Sequence, residues 1–401
     1  MDNQDLISEM EPYRAELVDI RRDIHAHPET GFEEARTAAI VAEKLKSWGI
    51  EVAEGVGRTG LVGTIVGKRA GQRAIGLRAD MDALNIHEQN AFAHVSQTPG
   101  KMHACGHDGH TTMLLGAARY LAEHPDFGGT VHLIFQPAEE GMGGARAMLA
   151  EGLFDRFPCD VVYGMHNMPG IPVGQFGIRP GPMMAAGDRW EVVFRGTGGH
   201  GGATPHLSTD VTVVQAQFIL ALQTIVSRNI AAIEPAVISV GYIGGGARAS
   251  TNVMPAEIVI GGTSRSYSEP TRDIIERRMR ELASTLAAAY GCRAEVAFHR
   301  LCKALVNHAE QTEVAIKAAA SVVGQAKVDG QTKPITAGED FTEMLLRKPG
   351  AFMFIGNGVD AEGGAHGLHT PKFEFNDEIL TLGASFWVSL VREELATGQE
   401  G

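Results

Sequence analysis

The sequence predicts an α/β protein in which a mostly parallel-sheet domain is interrupted by an inserted ferredoxin-like (βαββαβ) domain. Three observations carry that reading. Val- and Ile-rich apolar runs alternate with helical periodicity over the first half, the pattern of crossover units. Chemistry-bearing residues follow those runs, where open α/β sheets place their sites. The middle of the chain then changes to a strand, helix, strand, strand, helix, strand rhythm.

Leu61 to Gly67, Ala74 to Leu77, Thr130 to Phe135 and Val161 to Gly164 read as strands buried on both faces. Glu33 to Trp48 and Gly109 to Glu123 have helical spacing, with Gly49 as a stop. In the middle, Trp190, Val192 and Phe194 alternate with polar residues, as on a half-buried strand. Val214, Phe218, Leu222 and Ile225 share a helix face, and strands follow around Ile238–Val240 and Ile258–Ile260. A second helix aligns Ile275, Met279, Leu282, Leu286 and Ala289 before a strand at Ala294 to Phe298. Arg179-Pro180-Gly181-Pro182 and the region of Arg300 bound this stretch, so the division expected is 1–183 with 299–401, and 184–298 inserted. After it come a helix beyond Asn307, a strand at Ala351 to Ile355 and a helix from about Glu378.

A net charge of -13, from 48 acidic and 35 basic residues, argues against nucleic acid or an anionic membrane as partner. The N-terminus lacks the basic start and apolar run of a signal peptide, and no window reads as a membrane span. Four cysteines in 401 residues do not make a disulfide scaffold, so a reducing cytoplasm is expected.

His103-Ala104-Cys105-Gly106-His107-Asp108, Glu139-Glu140, Gly164-Met165-His166-Asn167 and Leu368-His369-Thr370-Pro371 together hold a thiolate, imidazoles and carboxylates. Such a set suits zinc, manganese, cobalt or nickel. A lone Cys-x-His is weak, because buried cysteines and stray histidines are common. Adjacent carboxylates after an apolar strand are more telling, since they repel unless a cation is near. One on the metal and one free is what a general base for water attack needs. Asp108 can orient a histidine, and His366 is a decoy for His369. His200, in Gly198-Gly199-His200-Gly201-Gly202, suggests an oxyanion donor. Asn252 and Arg265 can hold a substrate carboxylate. No Gly-x-Ser-x-Gly elbow, P-loop or dinucleotide fingerprint is present.

The chain resembles the co-catalytic metallopeptidase superfamily of aminoacylases and carboxypeptidases, and most of all its N-acyl-amino-acid amidohydrolases, such as hippurate and auxin-conjugate hydrolases. The likeness rests on the four stretches above and on Arg21-Arg22-Asp23-Ile24-His25-Ala26-His27-Pro28-Glu29, Leu77 to Leu84, Gln136 to Gly141 and Gly338-Glu339-Asp340-Phe341. It implies two divalent ions, manganese or zinc with cobalt or nickel as substitutes, held by Cys105, His107, Glu140, His166 and His369. Glu139 becomes the base and proton shuttle, His200 the lid-domain oxyanion donor, and Asp80 and Asp82 residues behind the ligands. The inserted domain becomes a lid and a homodimer or homotetramer interface.

Asn85, Val211 and Ser250-Thr251-Asn252 depart from the family pattern, all but Asn85 in the lid, which shapes substrate choice. The expected activity is metal-dependent hydrolysis of an amide C–N bond in a small carboxylate-bearing molecule. Deamination of an aromatic amine or dipeptide cleavage would use the same site. A silent metal- or ligand-binding protein is the non-enzymatic alternative.

Overall fold

Four apolar strands lie parallel at the centre of an eight-stranded sheet. The structure, a computed structural model, describes residues 6–359 and 366–396. Contacts divide the chain into two units. One comprises the residues up to Gly181 with Val306–Lys333 and Asp340 onward; the other comprises Pro182–Leu305 with Pro334–Glu339.

In the first unit the central strands run in the order Gly128–Gln136, Arg69–Asp80, Val161–Pro169 and Gly350–Gly358, each parallel to its neighbour. They are buried almost throughout the shared register, which is why they read as unbroken Val, Ile, Leu and Phe runs. Leu61–Val66 and Glu51–Glu54 extend one side antiparallel, so the crossover expected for Leu61 to Gly67 is replaced by an antiparallel pairing.

Parallel strands end on one side of a sheet, and here that side collects the chemistry. Asp80 is the last residue of its strand, opposite Gln136, and Glu139-Glu140 follow three residues on. His166 and Asn167 lie within Val161–Pro169 rather than after it, because the strand runs on past Gly164.

The helix His107–Glu123 begins two residues before its sequence pattern, so His107 opens it. It packs against Leu380–Glu394, in which every residue from Leu380 to Val391 is buried. Ser385 and Ser389 in that helix return their hydroxyls to the carbonyls of Thr381 and Ala318, which makes their burial tolerable. Arg14–Ala26 also covers His107–Glu123, with Arg21 and His25 on its buried face.

The second unit holds a four-stranded antiparallel sheet in the order Ala236–Gly245, Glu257–Ser266, Ala186–Arg195, Arg293–Cys302. Helices Val211–Thr224 and Glu269–Ala289 supply the two crossovers of a βαββαβ chain. Trp190, Val192 and Phe194 meet Val214, Phe218, Leu222, Ile275 and Met279 in one core. Ala289 is exposed, and the buried stripe instead runs Ile275, Met279, Ala283, Ala287.

Val211–Asn229, at a mean hydropathy of 1.3, does reach the length and apolarity of a membrane span, contrary to the sequence reading. Its buried residues Val211, Val214, Phe218 and Leu222 lie at helical spacing on one face and pack on the sheet, as in a helix covering one side of it.

Candidate metal centre

Cys105 is the hub of the first unit's cluster. Its Sγ lies 3.3 Å from His166 Nε2 and 3.3 Å from His369 Nε2. His369 Nε2 in turn stands 3.1 Å from Glu140 Oε1. Two of the three-donor groups among the described residues contain the thiol, Cys105–His107–His166 and Cys105–Glu140–His369, each with donor atoms within 4.8 Å of one another. They share the thiol. A third grouping, His107–Glu139–Glu140, brings Glu139 alongside within the same distance.

Backbone geometry places each donor. Gly106 has φ 91°, and a Cβ there would stand 2.3 Å from Asn167 Oδ1, so only glycine lets Cys105 and His107 turn into one space. Ala138 and His369 sit at φ 52° and 61°, left-handed values that non-glycine residues adopt at a cost, immediately before Glu139 and at a donor itself. Asp82 accepts the backbone N–H of Glu139 at 2.9 Å and of Glu140 at 3.0 Å, one on each carboxylate oxygen. One buried carboxylate thereby orients the glutamate pair.

Both ring nitrogens of His107 are buried without a hydrogen-bond partner, between Asp80 Oδ2 at 3.7 Å and Asp82 Oδ1 at 3.4 Å. Such orphaned donors and acceptors are costly unless a further species satisfies them. The electrostatics agree. Burial and the charges of Glu140, Glu139 and Asp80 push the Cys105 thiol well above its ordinary range. Burial lowers His107, but Asp80, Asp82 and Glu140 outweigh it and raise the ring to about 10. An excess of negative charge around a thiol and three imidazoles fits divalent cations, which reverse these tendencies.

Behind this set lies a polar layer that sequence reasoning only grazed. His110 Nδ1 meets Asp80 Oδ1 at 2.6 Å, and the Asn167 backbone N–H donates to His110 Nε2 at 3.0 Å. Arg78 holds the other Asp80 oxygen at 2.7 Å. Asp108 touches no ligand histidine through a hydrogen bond. It is held by His25 Nδ1 at 2.8 Å and by Arg21, while His25 Nε2 faces Glu88 Oε1 at 3.1 Å. The four-residue spacing of Arg21 and His25 on one helix face was the available signal. His103 is buried outside the donor groups, and His366 is exposed and joins none among the described residues.

In the second unit, His200 lies on the short strand Gly199–His200, paired with Val253–Met254 next to Asn252. Arg265 donates through Nε to Thr336 O at 3.1 Å and through Nη1 to Ser264 O and Thr263, so Nη2 is the nitrogen left for a ligand.

His25 supplies a pH dependence. Burial lowers its pKa, yet Asp108 and Glu88 more than reverse this and bring it to about 9 from 6.5. A raised folded-state pKa means the stabilisation is complete below about 6.5 and is lost as pH rises through about 9. The loss has an upper bound of about 3 kcal/mol. Urea midpoints of metal-loaded protein should fall across that window and flatten in His25→Gln. Equal slopes in both proteins would discard the assignment.

Comparison with known proteins matches residues 76–393 to the peptidase family M20/M25/M40. The chain belongs to that family. It is 38% identical to the hippurate hydrolase of Campylobacter jejuni over 390 residues, 97% of this chain and 99% of that one. It is 39% identical to the N-acetyl-L-cysteine deacetylase of Bacillus subtilis, over 93% and 86% of the two chains. The crystal structure of Bacillus subtilis YXEP, a dinuclear metal-binding peptidase from the M20 family, superposes with a TM-score of 0.84 at 32% identity, over 97% of this chain and all of that one. The M20 chain described here is a metal-dependent amidohydrolase, of a family in which a dinuclear metal-binding peptidase has been solved.

Proposed function

We propose that this enzyme hydrolyses the amide bond of a small N-acyl amino acid, with Glu139 as its proton-transfer group. The observation that carries the reading is a half-buried carboxylate beside both donor groups but needed by neither. Cys105, His107, Glu140, His166 and His369 would hold the ions, manganese or zinc, with cobalt or nickel able to replace them. Bound ions would polarise the amide carbonyl and make water acidic enough to lose a proton near neutral pH. Glu139 accepts that proton and delivers it to the departing amine, so one carboxylate serves both halves of the reaction. Asp82 fixes its backbone for this. His200 is the oxyanion donor, and Asn252 and Arg265 meet the substrate carboxylate.

The names hippurate hydrolase and N-acetyl-L-cysteine deacetylase support an acylated amino acid over a dipeptide or an aromatic amine. Amine release should be scored on acyl amino acids, dipeptides and aromatic amines, using chelator-stripped protein before and after reloading with manganese or zinc. Metal-restored turnover of acyl amino acids is expected. Turnover confined to dipeptides or aromatic amines would replace the substrate class. The cytoplasm remains the expected location, supported by four free cysteines.

The second unit serves as lid and as contact between copies. One sheet edge, Arg293–Cys302, carries Arg293, Glu295, His299 and Arg300, the charges that discourage edge pairing. The opposite edge, Ala236–Gly245, has no charge and exposes Val237, Tyr242 and Ile243. Beside it, Val211–Thr224 has no charged residue and exposes Val213 and Leu220. An uncharged edge pairing with its own copy gives a closed, isologous contact. Light scattering should give a dimer or tetramer, and Leu220→Glu with Val237→Lys should yield smaller species. A wild-type monomer would refute this contact.

A further inference from the structure

From the loop geometry we infer that the backbone of its own loop sets the tautomer of the His200 ring, Nδ1 accepting and Nε2 carrying the hydrogen, so that Nε2–H is the donor the ring presents. The inference rests on the reading of His200 as the group that meets the developing oxyanion. It adds which nitrogen does so, and what sets it.

His200 Nδ1 accepts two backbone N–H groups, from Gly202 at 3.3 Å and from Ala203 at 3.2 Å. A nitrogen facing two donors must present its lone pair. The neutral ring therefore carries its hydrogen on Nε2. That nitrogen has no partner among the described residues, and the side chain is exposed. The loop is fixed from both sides of the histidine. Gly201 N–H donates to Asn252 O at 2.8 Å, and Thr204 N–H to His200 O at 3.0 Å. Gly198, at φ 63°, makes the turn into it. A side chain at Gly202 would only touch the ring, its Cβ 3.7 Å from Cε1, so the ring rests against the loop.

The chemical consequence is specific. With the Nδ1 lone pair turned to the loop amides, the nitrogen that the ring offers a ligand is Nε2, with its hydrogen. That gives a neutral donor whose hydrogen bond strengthens as negative charge builds on a carbonyl oxygen, the requirement for oxyanion stabilisation. Gly202 and Ala203 are then positioning residues, acting through their amides.

The test exploits two isosteres in the full-length, metal-loaded enzyme. His200→Asn keeps an acceptor where Nδ1 sits but has nothing at Nε2. His200→Gln places its amide where Nε2–H was. The expected result is that Gln retains at least tenfold more kcat than Asn, with KM changing much less in both. Asn equal to or better than Gln would overturn the inference. Wild-type kcat in both variants would instead dismiss His200 as an oxyanion donor, a separate failure. Long-range nitrogen NMR of 15N-histidine protein, assigned by loss of one signal in His200→Asn, reads the ring directly. An Nε2–H ring is expected, and Ala203→Pro, which deletes one donating amide, should admit the other tautomer. An Nδ1–H ring in the unaltered enzyme would overturn the inference whatever the kinetics.

Discussion

Replacing Glu139 by Gln should lower kcat by roughly 10³-fold, equivalent to about 4 kcal/mol, while both metal ions remain bound. The amide fills the same volume and keeps the backbone N–H that Asp82 holds. What it loses is the ability to carry a proton. In the mechanism proposed above one carboxylate would take the proton from water and return it to the amine, so neither half-reaction would have a substitute. Elemental analysis beside steady-state kinetics decides the matter. Retained turnover with retained metal would remove Glu139 from the mechanism. Lost turnover with lost metal would make it a ligand. A protein that keeps its ions and turns over no amide in either form would be the silent binder.

The second large effect concerns Cys105. Its sulfur belongs to both three-donor groups, whereas His369 belongs to one. Cys105→Ala should therefore strip both ions and all activity, and His369→Ala should leave a protein holding a single ion. The alanine variant should still fold in the absence of metal, since burial and the neighbouring carboxylates keep that thiol uncharged and alanine removes only a small buried group. Metal content after gel filtration reads both variants. Two ions in Cys105→Ala would show that the thiol does not join the groups.

Much of this was legible in the sequence because it depends on short patterns. Apolar runs with Asp80, Glu139 and His166 at or after their ends marked the end of the sheet where the candidate donors gather. Alternation at Trp190, Val192 and Phe194, with helical spacing at Phe218 and Met279, gave the second unit's rhythm. What escaped depends on contacts between distant segments. Asp108 was expected to orient a histidine, and the one it holds, His25, comes from a helix 83 residues away in sequence, which no local pattern shows. Nothing local shows that Asp82 accepts from two consecutive amides 57 and 58 residues downstream. Left-handed backbone at Ala138 and His369 was equally hidden, since neither residue type advertises it.

The spacing of the donors along the chain sets a timetable for assembly. Cys105, His107 and His166 lie close in sequence, with 61 positions between the thiol and His166. The second group waits for His369, 264 positions beyond Cys105 and after the entire second unit. A ribosome emits the first trio long before the residue that completes the second. If these groups hold the ions as proposed, one ion could be captured by a nascent chain and the other only by a finished one. Closing so long a span is also slow, which makes full loading a late report that the C-terminal segment has docked.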